Sequence, residues 1–236
     1  MQPENLIIDP PQYDTITAFG IGGIAVGMAA LCVVVYSRGN SRRRVKLTIG
    51  AALWMAVTAI TAEAGLLSRF DLTPPPMALM MASVFAIAIG IGFSPLGRTL
   101  ANETSLMLLV ALQIFRFPLE LVMHHAADQS IMPVQLSYSG YNFDIITGLG
   151  AILLVSLMKF KTELSKVVVW IWNIWGMYCL LAIAIIAITT SPMAQAFGND
   201  PANLNTWVLF FPYVWLPVVL VTIAISGHII ITRKLL

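Results

Sequence analysis

The chain has 236 residues, of which 58% are hydrophobic and 10% are charged, and its formal net charge at pH 7 is +2. A water-soluble domain carries about 25% charged residues. This composition, with a mean hydropathy of +0.86, therefore excludes an ordinary soluble domain and indicates an integral membrane protein. No polar segment is long enough for a separate soluble domain, so we predict a single transmembrane domain over residues 1–236.

Apolar runs separated by short polar segments predict an all-α, polytopic membrane helix bundle with seven transmembrane helices. A helix needs roughly 20 apolar residues to cross the hydrocarbon core of a bilayer. The predicted spans cover about residues 15–37, 47–68, 75–93, 105–126, 142–160, 167–190 and 207–232. Residues 1–14 are expected to form a polar tail, and they lack the basic region of a cleavable signal peptide.

Small residues in these runs predict how the helices pack. Gly23 and Gly27 form a small-xxx-small pair in the first span, which favours a close approach of another helix. Cys32 and Cys179 lie inside apolar runs. We expect both to be small buried residues rather than disulfide partners.

The basic residues predict the orientation of the bundle. With the N-terminus outside and the C-terminus inside, 11 of the 13 lysine and arginine residues fall in inner segments, as the positive-inside rule requires. These residues are Arg38, Arg42, Arg43, Arg44, Lys46, Arg98, Lys159, Lys161, Lys166, Arg233 and Lys234. The outer segments contain only Arg69, together with Glu4, Asp9, Asp14, Asp71, Asp128 and Asp200.

This charge distribution favours a cell membrane, specifically a bacterial inner membrane, with the basic loops in the cytoplasm. The Arg42–Arg44 run is interpreted as a contact with anionic headgroups of the lipid bilayer, and no nucleic-acid partner is expected.

Ionisable residues inside the fourth predicted span are the first candidates for function. Arg116, Glu120 and His124 are spaced four apart, so they share one face of a helix. Charged side chains at membrane depth are costly and mark functional sites by default. A rise of about 1.5 Å per residue places Arg116 near mid-membrane and the other two further out. Glu63 and Asp144 are predicted at the same outer depth, where the five would form a pocket open to the outer face.

Neighbouring residues extend this prediction. Asn142 or Asp144 is expected to cap the fifth span, and both are retained as binding candidates. Pro118 predicts a kink that frees the carbonyl of Ile114. His228 comes about 21 residues into the last span, a count that places it near the inner interface and away from the pocket.

The predicted pocket has an excess of acid. Three carboxylates face one permanent cation, and unpaired carboxylates in a low dielectric take up a proton or bind a cation. Alternatively, Arg116 pairs with Glu120 or Glu63 and only holds helices together. A metal site built from Glu120, His124 and Asp144 is weakly supported, because the chain has no HExxH motif or clustered cysteines. The sequence indicates no particular cofactor.

Three functions remain open at this point. The first is a transporter or sensor that binds or translocates a small solute or proton; a sensor would need a partner membrane protein. The second is a membrane-embedded enzyme acting on a lipid or lipid-linked substrate, with Glu120 or Asp144 as general base. The third is a structural subunit of a membrane complex. A retinal protein is excluded, because residues 207–232 contain no lysine for a Schiff base.

Overall fold

The computed structural model describes residues 8–160 and 164–236, and all regular structure in this part of the chain is helical. The α-helices are α1 (Thr15–Ser37), α2 (Ser41–Glu63), α3 (Pro76–Phe93), α4 (Pro95–Glu103), α5 (Leu106–Ala111), α6 (Arg116–Asp128), α7 (Ile145–Lys159), α8 (Lys166–Thr189) and α9 (Thr222–Leu235). Short 3-10 turns occupy Leu66–Ser68, Val134–Leu136, Pro201–Asn203 and Trp207–Leu209, and a π-helical segment, Leu216–Val221, leads directly into α9. Glu4 and Lys161, which the orientation prediction uses, lie outside the described residues.

Six segments of the described chain are long and apolar enough to cross a membrane. They are Thr15–Ser37, Ser41–Glu63, Pro76–Phe93, Leu106–Asp128, Lys166–Thr189 and Leu216–Leu235. These segments confirm the all-helical prediction and indicate a membrane location. The fifth predicted span corresponds to α7, which is apolar but has only 15 residues. A count of seven spans therefore stays a prediction.

The last span lies at the centre of the bundle. In its most apolar window 72% of the residues are buried, against 11% in α2. Helices α3, α4, α5 and α8 all pack against α9. The outer helices instead expose large apolar side chains such as Ile60, Ile171 and Leu181, which is the pattern expected of helices that face lipid.

The fourth predicted span is two helices rather than one kinked helix. Helix α5 ends at Ala111, residues 112–115 form turns, and α6 begins at Arg116. The prediction that Pro118 frees the Ile114 carbonyl is wrong, because the Phe117 amide donates to that carbonyl (3.0 Å). Pro118 lies in the first turn of α6, where a missing amide donor costs little. The break makes Arg116 the first residue of a helix.

The last span begins later than predicted. The chain between Trp207 and Leu216 forms turns that contain Pro212, and regular helical structure starts only at Leu216. Because the helix starts late, His228 lies only about 18 Å along it, and its side chain is fully buried. The prediction that His228 lies away from the pocket is wrong, because its ring contacts Arg116.

The basic end of the bundle is more helical than predicted. Residues 98–103, expected to be a loop, belong to α4, which Ser94 caps by accepting a hydrogen bond from the Gly97 amide (3.1 Å). Arg43 of α2 forms an ion pair with Glu103 (3.5 Å), and Lys234 Nζ donates to the Asn102 carbonyl (3.3 Å). The α1–α2 connection, α4 and the C-terminus therefore meet at one end.

The opposite end brings together the segments predicted to lie outside. His125 Nε2 lies 3.1 Å from Asp14 Oδ2, and Gln135 Nε2 donates to Asn203 Oδ1 (3.0 Å). Asp14 also caps α1, and its bond from the Thr17 amide (2.7 Å) lowers the pKa of the Asp14 carboxyl. The residues before α1 therefore lie at the same end as the loop between α6 and α7 and the loop between α8 and α9.

The close helix contact expected at Gly23 and Gly27 is absent from the described structure. A Cβ atom at either position would meet no atom within 4 Å. Gly20 makes the contact instead, because a Cβ there would lie 2.8 Å from Val122 Cγ1 and Cγ2. Helices α1 and α6 therefore approach one helical turn before the predicted pair. Cys32 and Cys179 are free and buried, as predicted.

Candidate functional site

A buried ion pair between α6 and α7 forms the centre of the candidate site. Arg116 Nε donates to Asp144 Oδ2 (2.6 Å), and Nη2 contacts the other carboxylate oxygen. Arg116 is 1% exposed and Asp144 is 6% exposed. Arg116 opens α6 and Asp144 immediately precedes α7, so the two helix starts are joined by opposite charges.

His228 extends this pair towards the basic end. Arg116 Nη1 lies 2.6 Å from His228 Nε2. A guanidinium only donates, so Nε2 must accept and the proton of the neutral ring must be on Nδ1. Nδ1 then donates to Asn173 Oδ1 (2.8 Å), and Asn173 Nδ2 donates to the Thr232 hydroxyl (2.8 Å). Hydrogen bonds therefore run without a break from Asp144 to Thr232.

Glu120 is the second carboxylate of the site. It is 2% exposed, and its Oε1 accepts from Asn142 Nδ2 (2.8 Å). Oε2 is buried and has no hydrogen-bond partner among the described residues. Asn142 also accepts from the Asp144 amide (3.1 Å), so it holds Glu120 and the start of α7 at fixed positions. The predicted capping by Asn142 or Asp144 is not found, because Asp144 is the N-cap residue of α7 and no described side chain accepts a hydrogen bond from the first turn of the helix.

Arg116, Glu120, Asn142 and Asp144 line a cavity of about 40 Å³. A buried water needs about 10–15 Å³ when the volume is measured in this way, so the cavity has room for roughly three water molecules. Apolar residues of α6, α8 and the π-helical segment complete its wall. The cavity suits water, a proton or a small polar group.

Two predicted site residues lie outside this cavity. Glu63 is the exposed last residue of α2 and lines no part of it. His124 is turned towards the loop before α7, with its Nδ1 3.1 Å from Ser137 Oγ and 3.3 Å from Ser139 Oγ. The structure therefore brings together four of the six predicted residues, namely Arg116, Glu120, Asn142 and Asp144.

The proposed metal ligands do not assemble in the described part of the chain. Residues 8–160 and 164–236 contain no group of three or more His, Cys, Asp and Glu side chains that could hold a metal ion. His124 lies among serine hydroxyls and the ring of Tyr138 (4.3 Å between centroids), whereas Asp144 is held by Arg116. Glu120, His124 and Asp144 therefore do not form the predicted set.

Sequence reasoning missed His228 and Asn173. Asn173 was visible as a lone amide inside an otherwise apolar run, and such a residue usually hydrogen-bonds across helices. Gly176 provides the necessary space, since a Cβ there would lie 2.3 Å from His228 Cε1. Its carbonyl also accepts from Arg116 Nη2 (3.4 Å). The signal available in the sequence was therefore Asn173 followed, three positions later, by the small residue Gly176.

Comparison with known proteins places the site inside a family. Residues 73–236 match the family described as Domain of unknown function (DUF8737). No match to a curated protein or to a solved structure is found. The matched segment contains every residue of the Arg116 site and begins after α2. Because the match covers more than half of the chain, the protein belongs to the DUF8737 family.

Proposed function

We propose that this protein binds and releases a proton at Glu120, as a membrane sensor or transporter. The observation that carries the proposal is the charge of the buried site. Arg116 contributes one positive charge, and Asp144 and Glu120 each contribute a negative charge when ionised. His228 is neutral, because Arg116 already occupies its Nε2 lone pair. One bound proton brings the site to zero net charge.

The geometry supports Glu120 as the group that takes the proton. Asp144 has both of its oxygens against Arg116, whereas Glu120 Oε2 has no donor in the described structure. An ionised carboxylate in this position costs several kcal/mol unless it is paired. Protonation removes that cost, so a change of proton concentration on the accessible side becomes a change of charge inside the bundle.

Infrared spectroscopy of the purified protein tests this proposal. We expect the band of a protonated carboxylic acid at neutral pH, and its loss as the pH rises, because hydroxide removes the Glu120 proton. Glu120→Gln should abolish the band. Glu103→Gln is the matched control, since its side chain is 44% exposed at the basic end, and it should leave the band unchanged.

Two outcomes of this experiment would contradict the proposal. In the first, no protonated-acid band appears at any pH. In the second, the band follows the sodium or potassium concentration at fixed pH, which would identify a cation site. Loss of the band in Glu120→Gln must be accompanied by an unchanged helical circular dichroism spectrum, so that unfolding is not mistaken for loss of the proton.

We further propose seven membrane crossings, with the N-terminus outside and the basic loops in the cytoplasm of a bacterial inner membrane. The contacts support this topology: Arg43, Glu103 and Lys234 meet at one end, and Asp14, His125 and Asn203 lie at the other. Helix α7 begins next to Asp144, beside Arg116, and Met158 near its other end packs against the apolar cluster that includes Leu235 of α9.

Cysteine labelling in intact cells tests the number of crossings. In a variant without Cys32 and Cys179, Asp9→Cys should react with a membrane-impermeant maleimide. Lys234→Cys should react only after the membrane is permeabilised, because an odd number of crossings places the chain ends on opposite sides. Equal labelling of both positions in intact cells would indicate an even number and overturn the topology.

A further inference from the structure

We infer that an apolar chamber beside the Glu120 cavity binds a single-chain amphiphile with an uncharged hydroxyl head. The alkyl chain would occupy the chamber and the hydroxyl would reach Glu120. This inference rests on the proposed function, because it assigns a ligand to the same carboxyl group.

The chamber has the size and lining of a ligand site. Its volume is about 480 Å³, within the range of roughly 300–1,000 Å³ that is usual for small-molecule pockets. It lies between α3 and α8 at the end of the bundle that contains the loop after α8. Nearly all of its wall is apolar, including Met81, Val84, Ile183 and Leu216. Such a lining favours an alkyl chain over a polar solute.

The chamber and the Glu120 cavity adjoin. Five residues line both of them: Met123, Leu180, Ile183, Leu216 and Val221. These five side chains form the boundary between the chamber and the cavity that Glu120 lines, so a head group that passes between them reaches Glu120, whose Oε2 has no partner among the described residues. An unpartnered buried oxygen beside an apolar chamber is suited to an amphiphile with a small polar head.

The rim of the chamber contains exposed apolar side chains, as expected of a surface that contacts lipid. Ile188 and Met193 line the chamber and are 63% and 62% exposed. Both belong to the end of α8 and the loop that follows it, so in a membrane they lie in or near one leaflet. An amphiphile can enter from that leaflet, chain first, without crossing water.

The charge and size of the cavity select the head group. The charged groups that face Glu120 are Arg116 on its own helix and Asp144 before α7, while His228 on α9 and the Cys179 thiol on α8 are neutral. Arg116 is already shared between Asp144 and His228, and with Glu120 protonated the site has no net charge, so an anionic head would find no cation among the described residues to pair with. Space for roughly three waters admits a hydroxyl and excludes a phosphate diester with its substituents.

Photo-crosslinking of the full-length protein in phosphatidylcholine nanodiscs tests this inference. The probe is hexadecanol with a diazirine within its chain, and labelled peptides are identified by mass spectrometry. We expect labelling of chamber residues such as Met81 and Ile183, with competition by unlabelled hexadecanol. Palmitate, ionised at alkaline pH, should compete at least tenfold less well because its head is anionic.

Variants that fill the chamber provide the decisive comparison. Ala184→Phe on α8 and Ala78→Phe on α3 place a ring in the chamber from opposite walls, and each should reduce labelling about tenfold or more. Ala182, which is also on α8, lines neither cavity. Ala182→Phe should therefore leave labelling unchanged. Glu120→Leu should weaken hexadecanol competition about tenfold, as expected when a hydrogen bond to a buried carboxyl is lost.

The outcomes separate this inference from the proposed function. Labelling that is equal in Ala184→Phe, Ala78→Phe and the parent, or that is confined to lipid-facing residues such as Leu181, overturns the ligand site. If the Glu120 infrared band is present in that case, proton binding stands without the amphiphile. Specific labelling of a protein that shows no such infrared band would support the ligand site in the chamber and overturn proton binding at Glu120.

Discussion

Replacing Arg116 with leucine is expected to reduce the free energy of unfolding by about 3–5 kcal/mol, the range measured when one partner of a buried ion pair is removed. Asp144 would remain buried with no cation to compensate its charge. The measurement is denaturant unfolding of the purified protein in a fixed detergent, followed by tryptophan fluorescence.

Two comparisons make this result specific. Arg69 pairs with Asp71 by two hydrogen bonds (2.7 and 2.6 Å), but both side chains are more than half exposed. Arg69→Leu should therefore lower the free energy of unfolding far less than Arg116→Leu. Arg116→Leu combined with Asp144→Leu should recover most of the lost stability, because no buried charge is left alone. If Arg116→Leu is no more harmful than Arg69→Leu, the pair does not hold the bundle together.

Adding a methyl group at Gly148 is expected to separate α6 from α7. A Cβ atom at this position would lie 2.4 Å from the backbone nitrogen of Phe117 and 2.8 Å from its Cα. The obstacle is backbone rather than a side chain that could turn away, so the helices must move. Gly148→Ala should destabilise the protein by about 1–3 kcal/mol, as overpacked cores do, and shift the Glu120 infrared band.

Gly90→Ala is the matched control for this substitution. A Cβ at Gly90 would meet no atom within 4 Å, so only helix propensity should matter. Alanine is better than glycine inside a helix by about 0.5–1 kcal/mol, and a small gain in stability is expected. Equal melting temperatures for Gly148→Ala and Gly90→Ala would contradict the close approach of α6 to α7.

Hydropathy and spacing predicted the elements of this fold more reliably than their starting points. The i, i+4 relation correctly placed Arg116 and Glu120 on one face, and the proximity of Asp144 followed from its position at the outer start of the fifth predicted span. Glu63 was misplaced because α2 begins six residues earlier than its apolar run. Asn40 caps that helix at its start. The helix ends at Glu63 because Gly65, two residues later, adopts a left-handed conformation (φ 67°), as residues that follow a helix C-terminus often do.

His228 shows why depth could not be counted from residue numbers. The estimate assumed a regular helix from Trp207, but prolines delay the helix until Leu216. Conversely, His124 satisfies the spacing rule and still leaves the cavity, because the loop before α7 offers it serine hydroxyls at hydrogen-bond distance. Loop conformation decided both positions, and neither hydropathy nor helical periodicity describes a loop.

The hydrogen bonds that run from Arg116 to Thr232 have a direction, and that direction limits the route by which the proposed proton exchange at Glu120 can occur. Arg116 gives to His228, His228 gives to Asn173, Asn173 gives to Thr232, and Thr232 gives to the His228 carbonyl (3.0 Å). Every donor in this series is committed, and guanidinium retains its protons under all ordinary conditions. In this conformation a proton cannot pass along this series from Arg116 to Thr232 unless the bonds rearrange. The proton exchange proposed at Glu120 is therefore expected to use the other end of the bundle.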